Sequence, residues 1–179
     1  MFRTLLAILC LASTCLAQQL DVEKMFEERN LGPVAELLAK GDYELVARIG
    51  EAAAERGLKA AEWRIMRFRA LAELGQVESA LAEATEGLKT YPDNLELLML
   101  RHDLAAQQGL DEVKKDSLTR LNAAAKAKAP KDRTALDLVS LGRAALVLGA
   151  DAQKVIAQYF KTAQTKDAKL EAAYLAEGH

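Results

Sequence analysis

The chain is poor in the residues that most enzymes and most small secreted domains depend on. Its 179 residues include two cysteines, two histidines and three prolines. Both cysteines, Cys10 and Cys15, lie ahead of Ala17, so a chain cut after Ala17 holds none and has no disulfide framework. The histidines, His102 and His179, have no metal-type partner nearby, and no HExxH, paired CxxC, Walker loop or GxSxG is present. His102, between Arg101 and Asp103, is expected to be a partly exposed helix residue without a catalytic role. Carboxylates such as Glu23, Glu27 and Glu28, or Glu83 and Glu86, have the spacing of ordinary solvated helices, which argues against acid-base catalysis. No charge of one sign dominates, and a net charge of −2 excludes a protein whose main task is to wrap nucleic acid. No cofactor and no metal are expected.

The features that are present begin with an export signal. Arg3 precedes an apolar run from Leu5 to Ala12, which is too short for the roughly 20 residues a membrane-spanning helix needs. Cys15 and Ala17 are small residues at the minus-three and minus-one positions of a cut before Gln18. Residues 1–17 are therefore expected to be a signal peptide, with export to the periplasm or the extracellular space. The signal peptide is the only membrane element expected. Thr14 and Ala12 fit a lipoprotein box poorly, which disfavours a lipid anchor at Cys15. The chain left after that cut, Gln18 to His179, is long enough to bury a core without a staple.

Scarce proline and abundant Ala, Leu, Glu and Lys favour helix. Residues 18–30 are expected to hold a leading helix, within Asp21 to Asn30, and Pro33 suits the first turn of the next one. Gly41, Gly75 and Gly109 then recur at equal spacing (75 − 41 = 109 − 75), each after an apolar-periodic segment. Each marks the end of one helix and the start of another. After Gly75, Val77, Ala80, Leu81, Ala84 and Leu88 are spaced by three and four and share one helix face, until Pro92 stops the helix. Trp63 lies on an apolar stripe and is expected in the core. Helix, glycine turn, helix and proline break make one hairpin that cannot hide its apolar faces alone.

With Ala80, Ala84, Gly87 and Pro92 in place, residues 61–94 resemble a tetratricopeptide repeat. Ala84 replaces the usual aromatic, Trp63 falls one place early, and Phe68 occupies a position where that family prefers glycine or alanine. Residues 95–128 are a divergent copy, with Lys114 at the small-residue place. Leu138, Leu141, Gly142 and Ala145 reproduce the first-helix pattern in residues 135–170. The turn glycine of that copy is Gly149, which stands further from Gly109 than Gly109 does from Gly75. Lys126 to Arg133, which contains Pro130, is the expected extra loop. Residues 31–60 form a shortened first hairpin, from about Pro33 and then Tyr43 to Arg56. A truncated repeat is read from residue 171, with Tyr174 and Gly178 at the family's aromatic and glycine places. The resemblance implies an all-α, right-handed superhelical solenoid of antiparallel helix hairpins over residues 31–179. It also implies the N-terminal part of a longer exported bacterial repeat protein, an expectation that a stop codon directly after His179 would refute.

A solenoid of this family exposes a concave groove lined by its first helices. The ninth place of that helix corresponds here to Arg69, Asp103 and Arg143, with Glu73, Gln107 and Met99 beside them. The resemblance thus implies a non-catalytic scaffold that binds an extended peptide or a partner helix. The alternative is the tetratricopeptide module of a larger exported enzyme, such as a zinc peptidase-like hydrolase, with its catalytic domain beyond this chain. Opposite charges in adjacent repeats also serve simply to neutralise one another, so the groove charges have two readings. Ile65, Met99 and Val139 stand where a carboxylate-clamping subset of the family carries polar residues, which argues against that clamp. Residues 114–133 carry five more cations than anions, counting seven Lys and Arg against Asp116 and Asp132; this stretch reads as a solvated helix and loop, or as a dock for an acidic partner or membrane.

Overall fold

The computed structural model describes Phe26 and residues 31–176. The expected signal peptide, most of the leading helix, and Gly178 of the truncated repeat lie outside the described residues. Every regular element among the described residues is helical, and no helix there is long and apolar enough to cross a membrane. The chain divides into two compact units, Met1–Gly75 and Gln76–His179.

In the first unit, α1 (Gly32–Lys40), α2 (Tyr43–Glu55) and α3 (Ala61–Glu73) pack against one another. Pro33 occupies the first turn of α1, where its missing N–H costs nothing. Gly41 ends the helix at φ 87°, and its N–H and that of Asp42 reach back to the Leu38 and Leu37 carbonyls at 3.2 and 3.0 Å. The apolar stripes of the three helices meet in a core of Val34, Val46, Ile49, Ala53, Trp63 and Ala70. Phe26, itself helical, closes this core. Its ring meets Trp63 edge-on at 5.4 Å, and the Arg56 guanidinium lies 4.7 Å from the Phe26 ring centroid.

The second unit contains α4 (Val77–Thr90), α5 (Leu95–Gln107), α6 (Asp111–Ala127) and α7 (Ala135–Val147). After α7 comes a helical run made of α8 (Ala152–Val155), a π-helical stretch (Ile156–Phe160) and α9 (Lys161–Lys166), and then α10 (Glu171–Leu175). Helix α5 packs against α4, α6 and α7, while α7 packs against the π stretch, α9 and α10. The helices that come after the breaks, α5, α7 and α10, thus touch in succession. The Asn94 side chain caps α5 by accepting the Leu97 N–H at 2.9 Å. Thr134 and Asp137 form a reciprocal capping box at the start of α7. The α7 core continues through Leu138, Val139, Ala163 and Ala173.

Three expectations need correction. Helix α6 runs on to Ala127, and a 3-10 turn, Pro130–Asp132, occupies the middle of the expected Lys126 to Arg133 loop, so the irregular link is shorter than the charges and proline suggest. His102 is buried, at 3% exposure, and Met99 is buried at 1%. The reason is common to both: α5 is surrounded by α4, α6 and α7, and it also buries Leu95, Leu97, Leu98, Leu104 and Ala105. Met99 is therefore core and offers no surface to a partner.

Candidate binding site

Glu73 and Arg69 stand four residues apart on α3, so they share a face of that helix in the first unit; Glu73 is exposed and Arg69 half-buried. Asp103 and Gln107 have the same relation on α5, and Arg143 and Val147 on α7, both in the second unit. Because α5 and α7 lie against each other, Asp103 and Arg143 meet although they are far apart in sequence: the Arg143 Nη2 donates to Asp103 Oδ2. The other carboxylate oxygen, Oδ1, accepts from His102 Nδ1 at 3.1 Å. Asp103 is thus held by both oxygens, one from the buried side and one from the exposed side.

The three members differ in access to water. The Arg143 side chain is 44% exposed and the Asp103 side chain 24% exposed, while His102 is buried. The arginine is therefore the outer member of the array. His102 Nε2 is also buried and has no hydrogen-bond partner. An orphaned buried polar atom of this kind costs about 1–3 kcal/mol. Val147, half exposed, and Gln107, exposed, extend the same surface along their helices. Sequence reasoning named Asp103, Gln107 and Arg143 for this surface but passed over His102 and Val147. For Val147 a signal exists, because it lies one turn beyond Arg143 on the same face.

The basic stretch is less cationic than its sequence. Lys114 pairs with Asp111 at 2.5 Å, and Lys128 pairs with Asp137; both acids lie outside the counted run. The Arg133 Nη2 donates to the Ala125 carbonyl at 2.8 Å. Asp116 accepts from Arg101 at 2.5 Å, which ties α6 to α5 together with the Ser117 hydroxyl at 3.1 Å. The hydrogen bond and positive charge of Lys114 hold the Asp111 carboxyl below its ordinary value.

Among the described residues no group of histidine, cysteine, aspartate and glutamate is arranged to hold a metal ion. A cavity of about 360 Å³ opens in the second unit between Leu81, Thr85 and Lys89 of α4, Arg101 of α5 and Val113 of α6. Its size is at the lower end for a small-molecule site, and its two cations are already paired, Lys89 with Glu86 and Arg101 with Asp116. Comparison with family models, curated proteins and solved structures returns no match.

Proposed function

We propose that this chain is a non-catalytic protein-interaction scaffold of the tetratricopeptide type. It binds an extended peptide or a partner helix on the exposed face of its first helices, outside the cytoplasm. The observation that carries the reading is the Asp103–Arg143 pair: it is exposed, joins α5 to α7, and is flanked by the accessible side chains of Gln107 and Val147. Hairpins punctuated by glycine, with α5, α7 and α10 in successive contact, suit a right-handed solenoid whose first helices line a shared surface. The reading takes Arg69 and Glu73 as the corresponding surface of the first unit.

The experiment is a selection of peptides from a random nine-residue display library on the chain from Gln18 onward. Peptides captured on the second unit should bind about tenfold less well to Arg143→Glu, and peptides captured on the first unit about tenfold less well to Arg69→Glu, the scale of a charge-assisted hydrogen bond. Far-UV circular dichroism should stay unchanged. Failure to capture any peptide, or capture indifferent to both reversals, defeats the scaffold reading. Export is checked separately by amino-terminal sequencing of the protein from the envelope fraction, which should begin at Gln18. A retained Met1 would overturn that part.

A further inference from the structure

We infer that this surface selects an acidic segment, with His102 acting as a positioning residue that holds Asp103 so that Arg143 presents its remaining donors to a carboxylate of the partner. The inference rests on the scaffold reading and gives its partner a chemistry. A guanidinium carries five N–H donors in a fixed fork, and Asp103 is seen to take a bond only from Nη2. A carboxylate has acceptors only, and both oxygens of Asp103 are engaged, one by His102 and one by Arg143. The array therefore still offers donor capacity. Arg143 is also the more exposed member, 44% against 24%, so the positive end of the ion pair points outward. A planar fork of this kind suits a carboxylate, which it can bind through two parallel hydrogen bonds.

The role of His102 comes from where it sits. A carboxylate on a helix surface ordinarily samples several rotamers. Here the Nδ1–H of a buried ring on α5 holds Oδ1 at 3.1 Å and leaves Oδ2 to the Arg143 guanidinium of α7. Arg143 is thus oriented by a chain of two hydrogen bonds that starts in the core. Val147, four residues further along the same face of α7 and half exposed, adds an apolar contact about 5–6 Å away. In an extended peptide, residues two apart are separated by roughly 6.7 Å and point to the same side. The favoured segment therefore carries Asp or Glu two residues from an aliphatic side chain.

The random nine-residue library tests this without a known partner. Selected peptides should be enriched in an acidic residue two positions from Leu, Ile or Val. The best of them should bind at least about tenfold more tightly than its Glu→Gln counterpart, a ratio set by the charge-assisted bond. Arg143→Gln should bring that ratio close to one. His102→Leu should lower it by weakening the binding of the acidic peptide while leaving that of the Gln peptide unchanged. His102→Gln, whose amide can still donate to Asp103, should restore most of it. A purely structural histidine would weaken both peptides equally. Captured peptides without acidic enrichment, or a ratio untouched by His102→Leu, overturn the inference and leave the scaffold reading standing; no captured peptide at all overturns both.

Discussion

The α5–α6 hairpin and the hairpin formed by α7 with the helical run after it solve one packing problem in two ways. In the first, His102 is a buried residue of α5, and α6 is an unbroken helix of 17 residues tied to α5 by the Arg101 bonds to Asp116 and Ser117. In the second, α7 has Gly142 one place before Arg143, as His102 stands one place before Asp103, and a side chain of the partner helix occupies the space beside it. A Cβ added at Gly142 would lie 2.3 Å from a carbon of the Phe160 ring. Phe160 is fully buried and ends the π-helical stretch Ile156–Phe160. A π turn inserts an extra residue into the helical register and so rotates the residues beyond it. A small residue on the first helix admits a large one from the second, and that large residue stands at the end of an irregularly wound stretch.

The largest expected effect comes from emptying that contact. Phe160→Ala should cost about 3–5 kcal/mol, read from the midpoint of guanidinium unfolding, because it removes a fully buried ring from a close-packed site. Gly142→Ala should cost about 1–3 kcal/mol by overpacking against the same ring. The two changes together should cost clearly less than their sum, since the added methyl then fills space the ring has left. Additive losses would mean that the glycine is required for some reason other than Phe160.

How much of this could be read in advance depended on whether the cause was local. Gly41, Gly75, Gly109 and Gly149 all adopt positive φ at helix ends, a state in which side-chain-bearing residues are strained, so the glycines marked where helices stop. Trp63 was legible as core because its apolar stripe has helical period. Met99 and His102 were not, because their burial is decided by which helices flank α5, and α5 carries apolar residues on several sides instead of one stripe. The π stretch has no local signal; its counterpart Gly142 stands on a different helix, α7. For the candidate site, the matched register of Asp103 and Arg143 was visible, as was the possibility that they neutralise each other. That they pair directly, and that His102 joins them, required the approach of α7 to α5.

A smaller effect separates the turns from the packed contact. Nothing lies within 4 Å of a Cβ added at Gly109, and its φ is 67°, so Gly109→Ala should cost only the conformational strain of the left-handed region, about 1–2 kcal/mol. Thermal unfolding should show this loss with helix content at low temperature unchanged. A loss approaching that of Phe160→Ala would mean that the turn organises the hairpin beyond its own backbone.

The smallest effect concerns the start of α6, which has no side-chain cap and relies instead on an exposed pair. Asp111, the first residue of that helix, is bonded to Lys114 at 2.5 Å, and this bond, reinforced by the positive charge, lowers the carboxyl pKa below the ordinary 3.8. A group whose folded pKa is depressed stabilises the fold above its unfolded pKa, and that contribution fades as the pH falls through the folded value. The N-terminal end of a helix favours the same ionised form. Asp111→Asn should therefore lower the urea midpoint slightly at pH 7, with the difference from the unaltered chain vanishing as the solution is acidified below 3.8. High salt should shrink the difference as well, because the pair is exposed to screening ions. A midpoint difference that persisted unchanged into acid would assign the effect to the helix start itself and remove the Lys114 pair from the account of α6.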